Sequence, residues 1–221
     1  MRRTIEPELM CSPQQVEAFQ QGDKSYSIKA FLNQWEEHVS ITTGSVIDLG
    51  CGPAEYISAL SRVHPNLAIT GYDGSQPMID LARQHVIDQP IQLFCCQFND
   101  IRDSADVVVS TNTLHHQHDS DKFWKNVCRL GRNVLVTDIL RPESESQARL
   151  IIEQYAENES ESFKQDFYNS LLAAFTEEEI KQQVSDYNLS VEVVIGRFNT
   201  LKNVIVHGCL GPLDAHLPLK F

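Results

Sequence analysis

One stretch of the chain carries chemistry in its spacing: Asp48-Leu49-Gly50-Cys51-Gly52-Pro53-Ala54, which follows the apolar run Ser45-Val46-Ile47. Two glycines at a strand-to-helix turn let backbone approach a ligand with no Cβ in the way. An acid about 20 positions on, at the end of the next strand, suits a pair of ribose hydroxyls. Asp73 holds that place, in Ile69-Thr70-Gly71-Tyr72-Asp73-Gly74-Ser75. Glu55 stands where a dinucleotide-binding turn has its third glycine. An acid facing a pyrophosphate at a helix N-terminus is unfavourable, so the turn points to a ligand without phosphate.

A second polar group gathers in Ser110-Thr111-Asn112-Thr113-Leu114-His115-His116, with His118, Asp119 and Asp138 further on. His115, His116 and Asp138 are candidates for a base or for orienting an acceptor. For Asp138 a salt bridge or helix cap is an equal alternative, with Arg141 close by in sequence. Neighbouring histidines on a strand or turn are expected to diverge, and no second ligand cluster accompanies them. No metal site is therefore expected. Tyr26, Arg141 and Tyr168 are candidate acceptor contacts, each weighed against plain packing or pairing.

These residues need elements to position them. Apolar runs at Ser45–Leu49, Leu67–Tyr72, Ile91–Cys96, Ala105–Ser110 and Asn133–Ile139 read as strands. Helical spacing fills the gaps: Ile57 with Leu60 and His64, Met78 with Leu81, Ala82 and His85, and a helix over about Ser120 to Leu130. Alternation of this kind predicts a doubly wound, mostly parallel sheet, whose strand C-terminal ends share one rim. Ligands of such sheets bind at that rim. The glycine turn, Asp73, Gln97 to Asp100, Thr111 to His116 and Asp138 all fall there.

The flanks differ from this core. Ser12-Pro13 opens one N-terminal helix, with Val16 and Phe19 on one face; a second follows Asp23 and carries Ile28, Phe31, Leu32, Trp35 and Val39. After Pro142 come two helical faces, Ala148-Ile151-Ile152-Tyr155 and Phe163-Phe167-Leu171-Phe175, separated by the solvated acidic turn Glu157 to Glu161. Thr176 and Glu179 form a capping box for a last helix. Ser190–Ile195 and Asn203–His207 then pair as a hairpin. The chain thus reads as one domain: a helical cap over 1–42, a cofactor-binding core over 44–140, a helical insertion over 142–175, and a final helix with hairpin over 176–210.

In its motifs the chain resembles the class I, seven-stranded S-adenosylmethionine-dependent methyltransferases. That family places an acid, one residue, then Gly-x-Gly at this turn, as in Asp48-Leu49-Gly50-Cys51-Gly52. The resemblance runs through residues 44 to 140 with motifs in order, and through the rest by element order. It implies a Rossmann-like fold with a C-terminal antiparallel hairpin, and S-adenosyl-L-methionine as cofactor, with S-adenosyl-L-homocysteine as product. Gly50, Cys51 and Gly52 would lie along the methionine and ribose portions, with Asp48 supporting the loop. Asp73 would hold the ribose hydroxyls. Gly74 and Met78 would border the adenine, Gln97 and Phe98 its other wall, and Thr111 and Asn112 the methionine end. Two positions depart from the family pattern: its third glycine is Ala54 here, and its adenine-facing Asp is Gln97.

The implied activity is in-line methyl transfer to a small-molecule N, O or S acceptor. The alternatives are a protein or RNA methyltransferase, or a non-catalytic protein that binds the same cofactor. A net charge of −12 argues against nucleic acid as partner. No run approaches the ~20 apolar residues of a membrane span. No apolar stretch follows Met1-Arg2-Arg3-Thr4, which argues against a secretory signal. The six cysteines lack CxxC spacing and read as reduced core residues, so a cytoplasmic enzyme is expected.

Overall fold

The computed structural model describes residues 1–6, 16, 24–187, 191–198 and 201–210. The expected helix after Ser12 lies, apart from Val16, outside them. Helix α1 (Ser25–His38) leads into β1 (Gly44–Leu49), α2 (Glu55–Val63), β2 (Leu67–Asp73), α3 (Gln76–His85) and β3 (Ile91–Cys95). Then follow β4 (Ala105–Thr111), α4 (Ser120–Leu130), β5 (Gly131–Ile139), α5 (Glu145–Tyr155), α6 (Glu161–Ala173), α7 (Glu177–Asp186), β6 (Val191–Phe198) and β7 (Leu201–Cys209). Single 3-10 turns lie at Phe98–Asp100 and Leu114–His116.

All seven strands join one sheet in the order β3-β2-β1-β4-β5-β7-β6. The pairs among β1 to β5 are parallel; β7 runs antiparallel to both β5 and β6. The Rossmann-like sheet with its terminal hairpin is therefore as expected. Strand order reverses between β1 and β4, which opens the rim crevice beside the glycine turn.

Each face of the sheet has its own apolar layer. Phe31, Trp35, Ile57, Leu60 and Ile79 from α1 to α3 cover one; Phe123, Trp124, Val127, Leu130 and Ile180 from α4 and α7 cover the other. Each such side chain, fully buried, contributes roughly 1.5–3 kcal/mol. That layering makes the strands a stiff frame for the rim. Capping fixes where helices start: Ser75 accepts from the Met78 N–H, and the Thr176/Glu179 box closes reciprocally at α7.

The helical insertion leaves and returns at one point, because Leu140 bridges Phe175 and the Arg141 N–H donates to the Phe175 carbonyl at 3.0 Å. Its own small core is Ala148, Ile151 and Leu171, with Phe167 and Tyr155 against it. The cysteine expectation needs correcting. Among the described residues only Cys51 and Cys128 are buried, while Cys95 and Cys209 are exposed, Cys95 at the end of the edge strand β3.

Candidate active site

The glycine turn is held by backbone bonds from the neighbouring strand: the N–H groups of Gly50 and Cys51 both donate to the Tyr72 carbonyl, at 2.8 and 3.0 Å. Gly50 has φ +77°, and a Cβ there would stand 2.3 Å from Thr113 Cγ2. Glycine is thus required twice over, for backbone angle and for space. Gly52 has φ +50°, yet a Cβ on it would meet nothing within 4 Å. Its bare side opens onto free space. Ala54, at the family's third glycine, sits buried at φ +62° and starts α2 in the left-handed region.

Two carboxylates flank this turn. Asp73 accepts from the N–H of Gly52 and the N–H of Ser75, both at 2.8 Å. Burial pushes its carboxyl above the usual carboxylate range, against those two bonds and the pull of His116. Asp48 is buried at the end of β1, and its Oδ1 has no hydrogen-bond partner among the described residues. Burial first, and the charge of Asp73 second, push it up to about 8. An open backbone cradle beside two under-compensated carboxylates fits a ligand that brings hydroxyl donors and positive charge.

The expected adenine side assembles only in part. Gln97 Nε2 lies 3.2 Å from where a Gly74 Cβ would be, and the Cys96 N–H donates to the Asp73 carbonyl at 3.0 Å. Met78 is buried in the first turn of α3. Phe98 instead packs its ring edge-on against Phe123, 6.5 Å between centroids, because the 3-10 turn draws it toward the α4 layer.

At the end of β4, Ser110 donates to the Leu49 carbonyl at 2.7 Å and Thr113 to the Gly50 carbonyl at 3.1 Å, tying this strand end to the cradle. Asn112 turns through φ +52°, and its amide donates to Tyr56 Oη at 3.3 Å. Tyr56 in turn donates to Ser27 at 3.2 Å, so α1 and α2 both reach the end of β4. Tyr56 was not singled out in the sequence because an aromatic in the first turn of a helix reads as packing. Glu55 pairs with Lys24 at 3.3 Å.

Beyond Thr113 the histidines do not diverge. The 3-10 turn brings the His115 and His116 rings together, centroids 4.1 Å apart and tilted by 38°. Asp138, in β5, takes the His115 N–H at 2.9 Å and Nδ1 at 2.6 Å. Burial alone would lower the His115 pKa; the Asp138 charge and hydrogen bond overcome it, and the net shift is upward. Asp138 is thus a buried partner of His115, and Arg141 turns elsewhere, to Glu179 at 2.8 Å and the Ala174 carbonyl at 3.1 Å. Tyr168 donates to Glu145 at 3.3 Å and lies under Arg149, bracing α6 on α5, while Tyr26 is 53% exposed on α1.

The N-terminal segment supplies residues the sequence did not reveal. His116 Nδ1 is in close contact with Glu6, whose other oxygen accepts from Ser170 at 2.6 Å. Arg3 donates to the carbonyls of Ala173, His115 and Gln117 at 2.5–3.0 Å and lies over the Phe175 ring. One ligand atom from each of Glu6, His115 and His116 falls within 4.8 Å of the others. No local motif announces a partner more than a hundred residues away.

Known proteins resemble this chain in sequence over part of its length and in fold over most of it. Residues 47–133 match the methyltransferase domain family. Over that stretch the chain is similar to a methyltransferase domain. A release factor glutamine methyltransferase from Streptococcus pneumoniae is 32% identical over 89 residues, covering 39% of this chain and 32% of that protein. A trans-aconitate 2-methyltransferase from Mycolicibacterium gilvum is 35% identical over 75 residues, covering 32% of this chain and 27% of that protein. The chain spans about a third of the length of these curated relatives. The plantazolicin methyltransferase BpumL in complex with SAH shares the fold with a TM-score of 0.69 at 13% identity, over 88% of this chain and 90% of that one. A SAM-dependent methyltransferase from Aquifex aeolicus gives 0.63 at 14% identity, over 89% and 98%. The likeness in fold thus extends well past the stretch that matches in sequence. Among the described residues no helix is long and apolar enough to cross a membrane.

Proposed function

We propose that this protein binds S-adenosylmethionine at the glycine turn and transfers its methyl group to a small-molecule acceptor. The observation that carries the reading is the cradle: Gly52 open to space, Asp73 beside it, and a buried Asp48 oxygen with no partner. When bound, the cofactor supplies an already activated methyl group on a sulfonium.

The chain's own residues then have three tasks. Gly50 and Gly52 present bare backbone, and Asp73 keeps spare lone pairs on both oxygens for two hydroxyl donors. Asp48 contributes negative charge that a cationic ligand would compensate. His116 faces the acceptor side, where it aligns a nucleophile, and the buried His115–Asp138 pair holds the turn that carries it. The insertion α5–α6 and the N-terminal segment meet over this side, as the Glu6–Ser170 bond and the Thr4 N–H to Leu172 carbonyl bond at 3.0 Å illustrate. Such a cover suits a small molecule better than a polymer, and a net charge of −12 disfavours RNA. The printed substrates of the relatives differ among themselves, so none is carried over.

Calorimetry with S-adenosylmethionine and with its demethylated product tests the first half; both should bind, and Asp73→Ala should weaken uptake by about 100-fold. Transfer of radiolabelled methyl into small-molecule, protein and RNA fractions tests the second. Label confined to protein or RNA would overturn the small-molecule reading, and binding without transfer would leave only a cofactor-binding protein.

A further inference from the structure

Two carboxylate–imidazole pairs stand side by side at the end of β4, and they are not equivalent. The His115 and Asp138 side chains are 4% and 2% exposed, and Asp138 also takes the Ile139 N–H at 2.7 Å. With three N–H donors on one carboxylate, this pair is sealed and serves to hold the turn. The second pair is reachable: His116 is 19% exposed and Glu6 11%. His116 ends the 3-10 turn that Thr113 begins, and the Thr113 hydroxyl donates to the Gly50 carbonyl at 3.1 Å, which sets this turn at the edge of the glycine cradle.

Glu6 is built into place. Burial would raise its pKa, but hydrogen bonding to His116, the charge of His116 and the Ser170 hydroxyl prevail and the net shift is downward, so it stays ionised. By accepting from Nδ1–H of His116, a carboxylate fixes the tautomer that leaves Nε2 with a free lone pair. The groups facing His116 are Glu6 and Arg3 from the N-terminal segment, Ser170 from α6, His115 within the turn with Asp138 of β5 behind it, and Asp73 of β2. The nearby guanidinium groups are engaged: Arg3 by three carbonyls, Arg141 by Glu179 and a carbonyl. An acceptor carboxylate would meet acids there.

From this geometry we infer that Glu6 is the positioning residue for His116 as catalytic base, and that the acceptor is a hydroxyl or amine still carrying a proton on the atom to be methylated. The inference rests on the methyl-transfer reading above. In the step, an acceptor electron pair forms the bond to the methyl carbon as the carbon–sulfur bond breaks, with that electron pair leaving on the sulfur as a neutral thioether. The acceptor proton passes to Nε2 of His116, the imidazolium is balanced by Glu6, and the proton leaves to solvent through the exposed edge of the ring.

The test uses the full chain and Glu6→Gln, His116→Gln and Ser170→Ala variants, each with its melting temperature and cofactor affinity measured. Long-range proton–nitrogen NMR on histidine-labelled protein should show the Nδ1–H tautomer at His116, lost in Glu6→Gln while the His115 signals persist. With the hydroxyl or amine acceptor recovered from the radiolabel screen, His116→Gln should lower kcat by about 100-fold or more, the range of general-base catalysis. Glu6→Gln should lower kcat by about 10-fold with KM little changed, and move the acid limb of the kcat profile to lower pH, because an uncompensated imidazolium forms less readily. Cofactor affinity should stay within about threefold in every variant, being set at the glycine turn. A Glu6→Gln enzyme with wild-type kcat and pH limb would overturn the assignment, as would a thiol or carboxylate acceptor. So would activity lost to a chelator and restored by zinc, since Glu6, His115 and His116 would then be holding a cation. Loss of cofactor binding in the wild type, by contrast, would sink the function reading itself.

Discussion

The β1–β2 half and the β4–β5 half of this rim are built by opposite means. On the β1–β2 side the site is mostly backbone: two glycines with positive φ, N–H groups donating to the Tyr72 carbonyl, and two carboxylates at strand ends. On the β4–β5 side it is mostly side chain, in pairs that join the N-terminal segment, the 3-10 turn, β5 and α6. The first design tolerates little change because its shape is covalent geometry. The second can be re-furnished residue by residue, which is how one fold serves many acceptors.

That contrast can be broken most forcefully at Gly50. Gly50→Ala should lower the melting temperature by about 5–10 °C and abolish cofactor uptake, since the new methyl would meet Thr113 at 2.3 Å in a left-handed backbone. Adding Thr113→Ala should recover part of the stability, because it removes the two nearest atoms but not the strain. Full stability of Gly50→Ala would show that the turn is softer than its geometry states. Next in size, Asp73→Ala should weaken cofactor binding by about 100-fold, two hydrogen bonds to a charged group being lost. An acceptor-side change such as Ser170→Ala should leave the same titration within about threefold. Equal losses from both would erase the division between the halves.

Asp48 sharpens it further through pH. Its folded-state pKa of about 8 lies above the ordinary 3.8, so the stability it contributes is present below pH 3.8 and fades as pH rises through about 8. Asp48→Asn should therefore melt higher than wild type, by at least ~3 °C at pH 8.5, and with a smaller gain at pH 5. Cofactor affinity in the wild type should rise with pH up to about 8, as the ionised carboxylate meets a cationic ligand, and Asp48→Asn should flatten that rise. Parallel pH curves for the two proteins would remove Asp48 from the binding step. Smaller in its effect on binding, exchange of residues 142–175 for a relative's insertion should alter acceptor choice and leave cofactor affinity within about threefold, which calorimetry and the methyl screen would check together.

The same division governs what was legible beforehand. The cradle could be read from Asp48, Gly50, Gly52 and Asp73 because each role is local: a turn needs its glycine, and a strand end needs its acid. The strands around it were legible for the same reason, down to the capping box at Thr176. The contact of Phe98 with Phe123 was not legible, because a ring beside a 3-10 turn has no spacing that says which neighbour it meets. His115 and His116 would splay on a strand, and a single 3-10 turn brings their rings together instead. Glu6 was invisible: a lone acid near the N-terminus has no periodicity or spacing to mark it, and its significance exists only once β4 and α6 have been brought to it.

The interlock between Gly50 and Thr113 has a further consequence. Thr113 begins the turn that carries His115 and His116, and its methyl fills the notch that a side chain at position 50 would have used. The glycine loop and the histidine turn are therefore geared together. Occupying the one should quieten the other, so the amides of His115 and His116 should exchange hydrogen for deuterium several-fold more slowly once cofactor is added. Unchanged exchange would mean that the gear slips.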